Sequence, residues 1–329
     1  MNPEHLKYLV CPESGSDLTL TDAKYDGSAI KTGTLVAKNG ESYPVIDFIP
    51  RFVSSNNYAQ NFGFEWNLHN RTLHDDYSKC SASRDRFLKE TQWGQNLTGR
   101  LMLEAGCGSG RFTGIAADSG ATLISFDYSD AVTACYASHG KRANVLIVQA
   151  DIYNMPFRKN WFDYVFCLGV LQHTPNPKAS FLNLASHLKP GGRLSTDCYI
   201  KDMLHCYLHT KYYVRPFVKR ISSERLYAIV SHYIDLLWPF IKIIRRVPFR
   251  IGQGICVRLL VADYASAFPG MDDKILKQWA YLDSFDMLSP AYDLPQTVKT
   301  FRKWHDEAGL TQVDVRKGYN GIEGRGLKP

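Results

Sequence analysis

The chain has 329 residues and a mass of 37.3 kDa, with 45% hydrophobic and 22% charged residues. These fractions are typical of a protein with a sizeable core, they exclude a disordered or fibrous chain, and the length suits about two domains. The formal net charge is +7, from 39 basic and 32 acidic residues. A basic balance of this size points to an anionic partner without naming it.

The basic residues are concentrated in one segment. Residues 201–260 contain eleven Lys or Arg and three Asp or Glu, so the rest of the chain is close to neutral. Eight cysteines occur without a C-x-x-C pair, and the polar start of the chain has no apolar signal-peptide region. We therefore expect free thiols and a cytoplasmic protein. The apolar run 226–244 is interrupted by Asp235, Pro239 and Lys242, which argues against a membrane span.

Residues 1–54 form the first predicted unit. Short apolar runs alternate there with turns such as Asp26-Gly27 and Asn39-Gly40, which predicts a small β-rich module. Residues 55–98 follow as an aromatic linker that is helical in part, with a predicted helix start at Ser81.

Strands and helices alternate from residue 99 onwards. A helix presents Phe181, Leu184, Ala185 and Leu188 on one face. This alternation predicts an α/β core with a parallel sheet covered by helices on both sides, formed by residues 99–200 and 291–329. The segment 201–290 interrupts it as a helical insertion. The predicted core strands are residues 101–105, 121–127, 144–149, 162–168 and 193–199, with a final hairpin of 311–317 and 321–326 at the sheet edge.

A glycine-rich turn follows the first core strand and reads Glu104-Ala-Gly-Cys-Gly-Ser-Gly110. Glycines in such a turn let the backbone come close to a ligand. A dinucleotide site needs the spacing GxGxxG, whereas the spacing here is GxGxG with an acid before it. Because a pyrophosphate favours a bare helix N-terminus and an ammonium group favours a nearby carboxylate, the motif favours adenosine with an amino-acid tail.

Two further acids follow neighbouring strands. Asp127 ends the second core strand and suits both ribose hydroxyls, and Asp151 follows the third strand and suits the adenine amino group. Ligands of open α/β sheets bind beyond the carboxyl ends of the strands, and all three acids are predicted there.

With these residues, the stretch from Leu101 to Leu194 resembles class I S-adenosylmethionine-dependent methyltransferases of the ubiquinone and menaquinone biosynthesis type. The resemblance implies a Rossmann-like fold with a mostly parallel seven-stranded sheet, and S-adenosylmethionine as the cofactor. The matching blocks, in order, are residues 104–110, Asp127, and residues 151–157, 161–165, 169–173 and 188–193. The expected cofactor-binding residues are Glu104, Gly106, Cys107, Gly108, Gly110, Asp127, Tyr128, Asp151, Ile152 and Leu168.

Residues 1–54 resemble the small zinc-ribbon-like domain that activates tRNA, rRNA and release-factor methyltransferases, on residues 9–14 and 40–50. Ser14 stands where metal-binding relatives carry a cysteine, and Cys11 has no further cysteine before Cys80. A tetrahedral zinc site needs about four ligands. We therefore expect no metal, and a docking module fused to its own methyltransferase.

The acceptor site has fewer signals. His173, just after the fourth core strand, is the candidate general base for an oxygen or nitrogen acceptor, or it only packs beneath its loop. The resemblance implies that the linker, with Tyr58 and Trp66, closes over the methionine end of the cofactor. Tyr292 is a further candidate at the acceptor pocket. So are Asp283 and Asp286, which alternatively only cap helices.

The insertion has three readings, since it interleaves nine aromatic residues with its cations between residues 201 and 260. It is a helical lid over the substrate pocket, a surface for an anionic membrane or lipid-linked substrate, or an RNA groove. The loop Cys167-Leu-Gly-Val170 lacks the tetrad used on exocyclic base amines, and no second cysteine supports C5-pyrimidine chemistry.

We therefore predict a methyltransferase for an oxygen or nitrogen of a small molecule, such as a sugar, a glycan precursor or a secondary metabolite. The alternatives are an RNA methyltransferase, another alkyl transfer or cyclisation that consumes S-adenosylmethionine, and a non-catalytic subunit.

Overall fold

The computed structural model describes residues 1–54, 56–201 and 209–329. Tyr207 and Cys206 of the predicted insertion lie outside the described residues. The other seven cysteines are free thiols.

The N-terminal module is a four-stranded antiparallel sheet in the order β1-β2-β3-β4, preceded by the 3-10 helix Pro3–Tyr8. Its apolar face includes Ile30 and Leu35, and it shares one continuous core with Leu146 and Val148 of the larger sheet. The predicted β-rich module is confirmed, and it is packed on the core. The strands are β1 (Leu18–Asp26), β2 (Ala29–Ala37), β3 (Ser42–Ile46) and β4 (Ile49–Pro50).

The module is also bonded to the edge of the larger sheet. Arg51 Nη1 donates to Asp130 Oδ1 at 2.5 Å and to Gln149 Oε1 at 2.7 Å, and Phe52 N–H donates to the Gln149 carbonyl at 2.8 Å. Among the described residues, no group of three or more His, Cys, Asp or Glu could hold a metal ion.

The larger sheet has seven strands in the order β10-β11-β9-β8-β5-β6-β7. Strands β5 to β9 pair in parallel, and the hairpin β10-β11 joins β9 antiparallel. The predicted α/β fold and final hairpin are confirmed. The strands are β5 (Leu101–Ala105), β6 (Thr122–Asp127), β7 (Val145–Gln149), β8 (Phe162–Cys167), β9 (Leu188–Cys198), β10 (Thr311–Gly318) and β11 (Gly321–Leu327).

One predicted boundary is wrong. Leu188 was expected on a helix face, but it opens β9 and is paired with Phe162 of β8. Leu188 is fully buried. An apolar residue is expected both on the buried face of a helix and in a buried strand, so the side chain alone does not distinguish a helix end from a strand start.

Helices cover both faces of the sheet. Phe87, Phe112 and Val132 pack with one face, and Phe181 and Phe301 with the other. The helices of this layer are α1 (Gln60–Leu68), α2 (Asp75–Ser78), α3 (Ala82–Thr91), α4 (Thr113–Ala117), α5 (Val132–His139), α6 (Pro177–His187) and, after the insertion, α11 (Val298–Glu307).

The predicted helical insertion is confirmed in its described part. Its long helix has a buried face of apolar side chains at helical spacing, including Leu226, Ile234 and Ile241. This buried face packs with Leu276 and Phe285 of a later helix. The insertion helices are α7 (Lys211–Val218), α8 (Ser223–Ile244), α9 (Phe249–Arg258) and α10 (Asp273–Asp286).

A buried ion cluster connects the linker to the sheet. Arg86 of α3 donates from Nε to Glu90 Oε1 at 2.7 Å and from Nη2 to Asp197 Oδ2 of β9 at 2.5 Å. The other Asp197 oxygen accepts from the Gly169 N–H, just after β8, at 2.5 Å. All three charged side chains are buried. The cluster therefore joins α3, β9 and the end of β8 around one guanidinium.

We predict that Arg86→Met destabilises the fold by roughly 3–5 kcal/mol, because it leaves two buried carboxylates without their cation. Denaturant unfolding measures the change. Arg84→Met is the matched control on the exposed side of the same helix, with an expected change within about 0.5 kcal/mol. Equal stabilities of the two variants would contradict the structural role of the cluster.

Candidate functional site

A cavity of about 300 Å³ lies at the carboxyl ends of the parallel strands, between the sheet, α1 and the insertion helix α10. Its walls come from the glycine turn after β5, the ends of β6, β8 and β9, and the linker and insertion. One end, called here the core end, is formed by the glycine turn and the strand ends, and the other, called here the insertion end, is formed mainly by the linker and the insertion. The cavity therefore joins parts of the chain that are far apart in sequence.

The glycine turn forms the core end of this cavity. Gly106 and Gly108 have φ angles of +76° and +52°, which a side chain disfavours. A Cβ on Gly106 would lie 2.3 Å from the Val170 side chain, and one on Gly108 would lie 3.3 Å from the Trp66 indole. Both glycines line the cavity together with Cys107. The turn thus brings bare backbone to the cavity wall, as the sequence suggested.

Asp127 lies beside this turn at the end of β6 and also lines the cavity. Its Oδ2 accepts from the Gly108 N–H at 3.0 Å, and its Oδ1 accepts from Ser129 N–H at 2.8 Å and Oγ–H at 2.7 Å. Burial raises the pKa of the Asp127 carboxyl. A carboxylate has about four lone-pair sites, so these three bonds leave capacity for a ligand hydroxyl.

The remaining predicted cofactor residues divide into two sets. Tyr128, Ile152 and Leu168 line the cavity. Gly110 does not; it faces His139, whose Nε2 lies 3.0 Å from the Gly110 carbonyl.

Two predicted acids also lie away from the cavity wall. Glu104 was expected to face an ammonium group, but it is buried and its Oε2 accepts from the Thr113 and Ser125 hydroxyls, both at 2.6 Å. Burial raises the pKa of Glu104 to about 7. The Oδ1 atom of Asp151 accepts from the Tyr153 N–H at 2.9 Å, so it orders its own loop.

The predicted acceptor residues are likewise only partly brought together. Tyr58, Trp66 and His173 line the cavity, and Tyr292 does not. The Tyr292 ring packs edge-on against Tyr58, with 5.3 Å between the centroids. Its carbonyl lies 3.0 Å from His173 Nδ1. Because a carbonyl only accepts, this contact is a hydrogen bond when Nδ1 carries a proton, and Nε2 is the ring nitrogen that it leaves free.

The insertion end of the cavity is rich in charge. Asp283 and Asp286 line it from the last turn of α10, so neither caps the start of that helix. Arg86 and Arg111 line it as well, and Glu65 enters from α1. Glu65, Arg86 and Arg111 were missed in the sequence, because Glu65 and Arg86 occur in a linker without a recognisable motif and Arg111 follows the glycine turn as a residue to which the motif assigns no role.

The charged side chains at the insertion end differ in the partners that stabilise them. Arg111 Nε donates to Ser83 Oγ at 2.9 Å, and burial lowers the pKa of its guanidinium. Burial and Asp286 raise the pKa of Asp283 to about 6, while its hydrogen bond with Tyr264 and the nearby Arg111 act against the rise. The cavity therefore has a strongly acidic wall next to two arginines.

The comparisons with known proteins follow this geometry. Residues 103–196 match the model of the family described as methyltransferase domain. The ubiquinone biosynthesis O-methyltransferase of Coxiella burnetii is 29% identical over 116 residues, 35% of this chain and 49% of that protein. The tRNA U34 carboxymethyltransferase of Campylobacter curvus is 30% identical over 111 residues, 33% of this chain and 37% of that protein. The chain thus spans about half the length of the first of these relatives, and less of the second.

Among solved structures, human N-acetylserotonin methyltransferase in complex with SAM is 13% identical, with a TM-score of 0.39, over 83% of this chain and 56% of that chain. The family match starts at residue 103, so the resemblance of residues 1–54 to an activator domain stays a prediction.

Residues 103–196 are a class I S-adenosylmethionine-dependent methyltransferase domain with the Rossmann-like fold, and the cofactor of this domain is S-adenosylmethionine. The cavity suits that group. It offers bare backbone at Gly106 and Gly108, an acceptor at Asp127, and apolar walls at Ile152 and Leu168.

Glu65 yields a stability prediction. Burial, Asp286 and Asp283 raise the pKa of Glu65, and the charge of Glu65 in turn adds to burial in raising the pKa of the Tyr227 phenol of α8. The folded protein thus retains a proton that the unfolded chain releases above its ordinary pKa, and the free energy of unfolding falls as the pH rises. We predict that Glu65→Gln removes this pH dependence. The free energy of unfolding of the variant, relative to that of the native chain, should then rise by up to about 1.4 kcal/mol per pH unit above pH ~5.

Thermal and denaturant unfolding between pH 5 and 8 measure this difference. Glu224→Gln, an exposed change on α8, is the control and should follow the native chain at every pH. A constant offset between Glu65→Gln and the native chain across the range would show that Glu65 does not titrate as described.

Proposed function

We propose that this chain is a cytoplasmic methyltransferase that uses S-adenosylmethionine to methylate an oxygen or nitrogen of a small molecule. The observation that carries the proposal is the continuity of one cavity from the glycine turn and Asp127 to the insertion end. Such a cavity takes the cofactor at the core end and an acceptor of limited size at the other. The module of residues 1–54 is then a structural support for the core.

The cofactor would be held by three features of the core end. The Asp127 carboxylate would accept from a ribose hydroxyl, the backbone of Gly106 and Gly108 would face the amino-acid tail, and Ile152 and Leu168 would cover the base. When bound, S-adenosylmethionine supplies a methyl group on a positively charged sulfur, and that sulfur keeps the electron pair of the broken C–S bond.

The chain's own task is alignment and the exclusion of water. Tyr58 and Trp66 wall the cavity from the linker side, and Phe62 packs on the His173 ring with 5.1 Å between centroids. This packing and the bond to the Tyr292 carbonyl fix the ring, with Nε2 available to take a proton from an acceptor.

We predict that Asp127→Ala weakens S-adenosylmethionine binding roughly 10- to 100-fold, since hydrogen bonds to a charged group contribute about 1.5–3 kcal/mol. Calorimetric titration measures the affinity. Because Asp127 also orders Ser129, Asp127→Asn is titrated beside it as the conservative change.

Asp306→Asn, exposed on α11, is the control and should bind like the native chain. If the native chain does not bind S-adenosylmethionine, or if Asp127→Ala binds it equally well, the proposal fails. Mass analysis of the product with an acceptor panel separates methyl transfer from other alkyl transfers.

A second proposal concerns the outer surface of the insertion, which we assign to an anionic membrane. Ten of the sixteen exposed large hydrophobic residues in the described part of the chain lie between residues 209 and 258. Five of them recur at spacings of four and three along α8 and form one stripe, called here the apolar stripe: Ile229, Tyr233, Leu236, Phe240 and Ile243.

The charges around the apolar stripe support a lipid partner over RNA. By length and composition alone, α8 would suffice to cross a bilayer. Its opposite face, however, is packed into the insertion core, so we place the helix along a surface. Lys219, Arg220 and Arg225 are exposed before and at its start, and Arg246 after its end, where anionic headgroups would lie.

Other cations of the segment are less available to phosphates. Arg245 donates to Asp263 at 2.8 Å and Asp273 at 3.0 Å, and Lys242 pairs with Asp273 at 2.7 Å. Five acids between residues 261 and 290 thus reduce the excess positive charge of the insertion.

We predict that the native chain co-sediments with vesicles of phosphatidylcholine and phosphatidylglycerol, and less with phosphatidylcholine alone. The double variant Leu236→Glu/Phe240→Glu should bind at least about tenfold more weakly, since it replaces two inserted apolar side chains by charges. Both side chains are about 60% exposed, so the fold should be unaffected.

Tyr25→Glu, an exposed aromatic position in the N-terminal module, is the control and should bind vesicles like the native chain. A native dimer that becomes monomeric in the double variant, without vesicle binding, would assign the apolar stripe to a second copy. Salt-dependent RNA binding without vesicle binding would favour the nucleic-acid alternative.

A further inference from the structure

The acidic wall of the cavity contains a carboxylate without any partner. Glu65 of α1 has no solvent-exposed surface, lines the cavity, and neither Oε1 nor Oε2 makes a hydrogen bond. Burying an ionised carboxylate without a partner is costly, so Glu65 retains its proton until a positive charge is supplied, and buried groups of this kind are candidates for functional sites. Nothing in the packing of α1 explains this one.

The neighbours of Glu65 increase the cost. Asp283 and Asp286 line the same cavity, and both raise the energy of the Glu65 charge. Each of the three acids lies in the last turn of its helix, where the helix dipole is already negative. Among the described residues, no Lys, Arg or His nitrogen lies within 4.0 Å of any of these three carboxylates.

Arg111 and Arg86 act against the rise that burial causes in the pKa of Asp283, but no cation among the described residues acts on Glu65, so the positive charge next to Glu65 has to come from a ligand. The three carboxylates do not form a group that could hold a metal ion within the described residues. The same end of the cavity has aromatic walls from Trp66, Trp279 and Tyr264, which also attract cations. An organic ammonium group with an apolar body fits both features.

We propose that Glu65, Asp283 and Asp286 form the subsite for a protonated amine, and that the acceptor is therefore a small amine with an apolar or aromatic body. This inference rests on the proposed function, and it narrows the acceptor atom from oxygen or nitrogen to nitrogen. A neutral alcohol would leave the Glu65 carboxylate without a positive partner.

The subsite also accounts for the proton that N-methylation must remove. In this subsite Glu65 takes the place of His173 as the proton acceptor: the ammonium N–H gives its proton to a Glu65 carboxylate oxygen, and the N–H electron pair stays on nitrogen as a lone pair. That pair forms the new C–N bond while the C–S pair stays on the donor sulfur, and the product nitrogen carries the positive charge. A buried carboxylate with a raised pKa suits this transfer, because its proton affinity is closer to that of an amine.

The test uses two probes with one body and different polar heads, phenethylamine and 2-phenylethanol. Calorimetry on the full chain saturated with S-adenosylhomocysteine should give at least about tenfold tighter binding of the amine. Glu65→Gln should reduce this preference to near one, whereas Glu224→Gln should retain it. Titrations in buffers of different ionisation enthalpy should show protons released on amine binding in the native chain and fewer in Glu65→Gln.

Three results would overturn the subsite. The first is equal binding of amine and alcohol by the native chain, or no binding of phenethylamine, tyramine or ethanolamine. The second is an amine preference that survives in Glu65→Gln. The third is a Glu65→Gln variant that loses affinity for S-adenosylhomocysteine titrated alone, since the carboxylates would then serve the cofactor's own amino group.

Failure of the proposed function is seen separately. It appears as absence of S-adenosylmethionine binding by the native chain, before any amine is added. The amine preference is then still measurable on the chain without cofactor.

Discussion

The buried cluster around Arg86 is the interaction on which the geometry of the cavity depends. One guanidinium bonds to Glu90 on its own helix and to Asp197 on β9, and Asp197 in turn accepts from Gly169 after β8. A buried ion group of this kind is worth little as net stability, but it is costly to break. It thereby sets the position of the linker against the sheet. Because Arg86 also lines the cavity, the same contact that holds the fold shapes one of its walls.

The two ends of the cavity meet different physical requirements. The core end consists of backbone and short side chains whose hydrogen bonds are largely satisfied, as at Asp127, and this suits a cofactor with many polar groups of its own. The insertion end keeps Glu65 unpaired beside other acids. The cost of burying its charge keeps this carboxyl protonated, and a ligand of opposite charge would offset that cost. In our proposal, the side chains that select the charge of the acceptor therefore come from the linker and the insertion, which form this wall.

The sequence predicts those parts of the fold that depend on local interactions. The strand and helix patterns of the core, the glycine turn and the final hairpin depend on periodicity and on conformations that glycine allows, so they were predictable. Leu188 shows the limit, because a buried leucine suits a helix end and a strand start alike. Glu104 shows a second limit of prediction from the sequence. Its place in the motif suggested a ligand contact, whereas the Thr113 and Ser125 hydroxyls that occupy its Oε2 come from other elements.

The sequence by itself determined the class of domain, the cofactor and part of the lining at the core end, such as Gly106, Gly108 and Asp127, because these lie within short stretches around strand ends. Only the tertiary structure placed Glu65, from a linker helix, against Asp283 and Asp286, from an insertion more than two hundred residues later. It also showed which cations of the basic segment are paired and which aliphatic side chains stay outside. Burial and charge pairing depend on distances through space, and no local pattern encodes them.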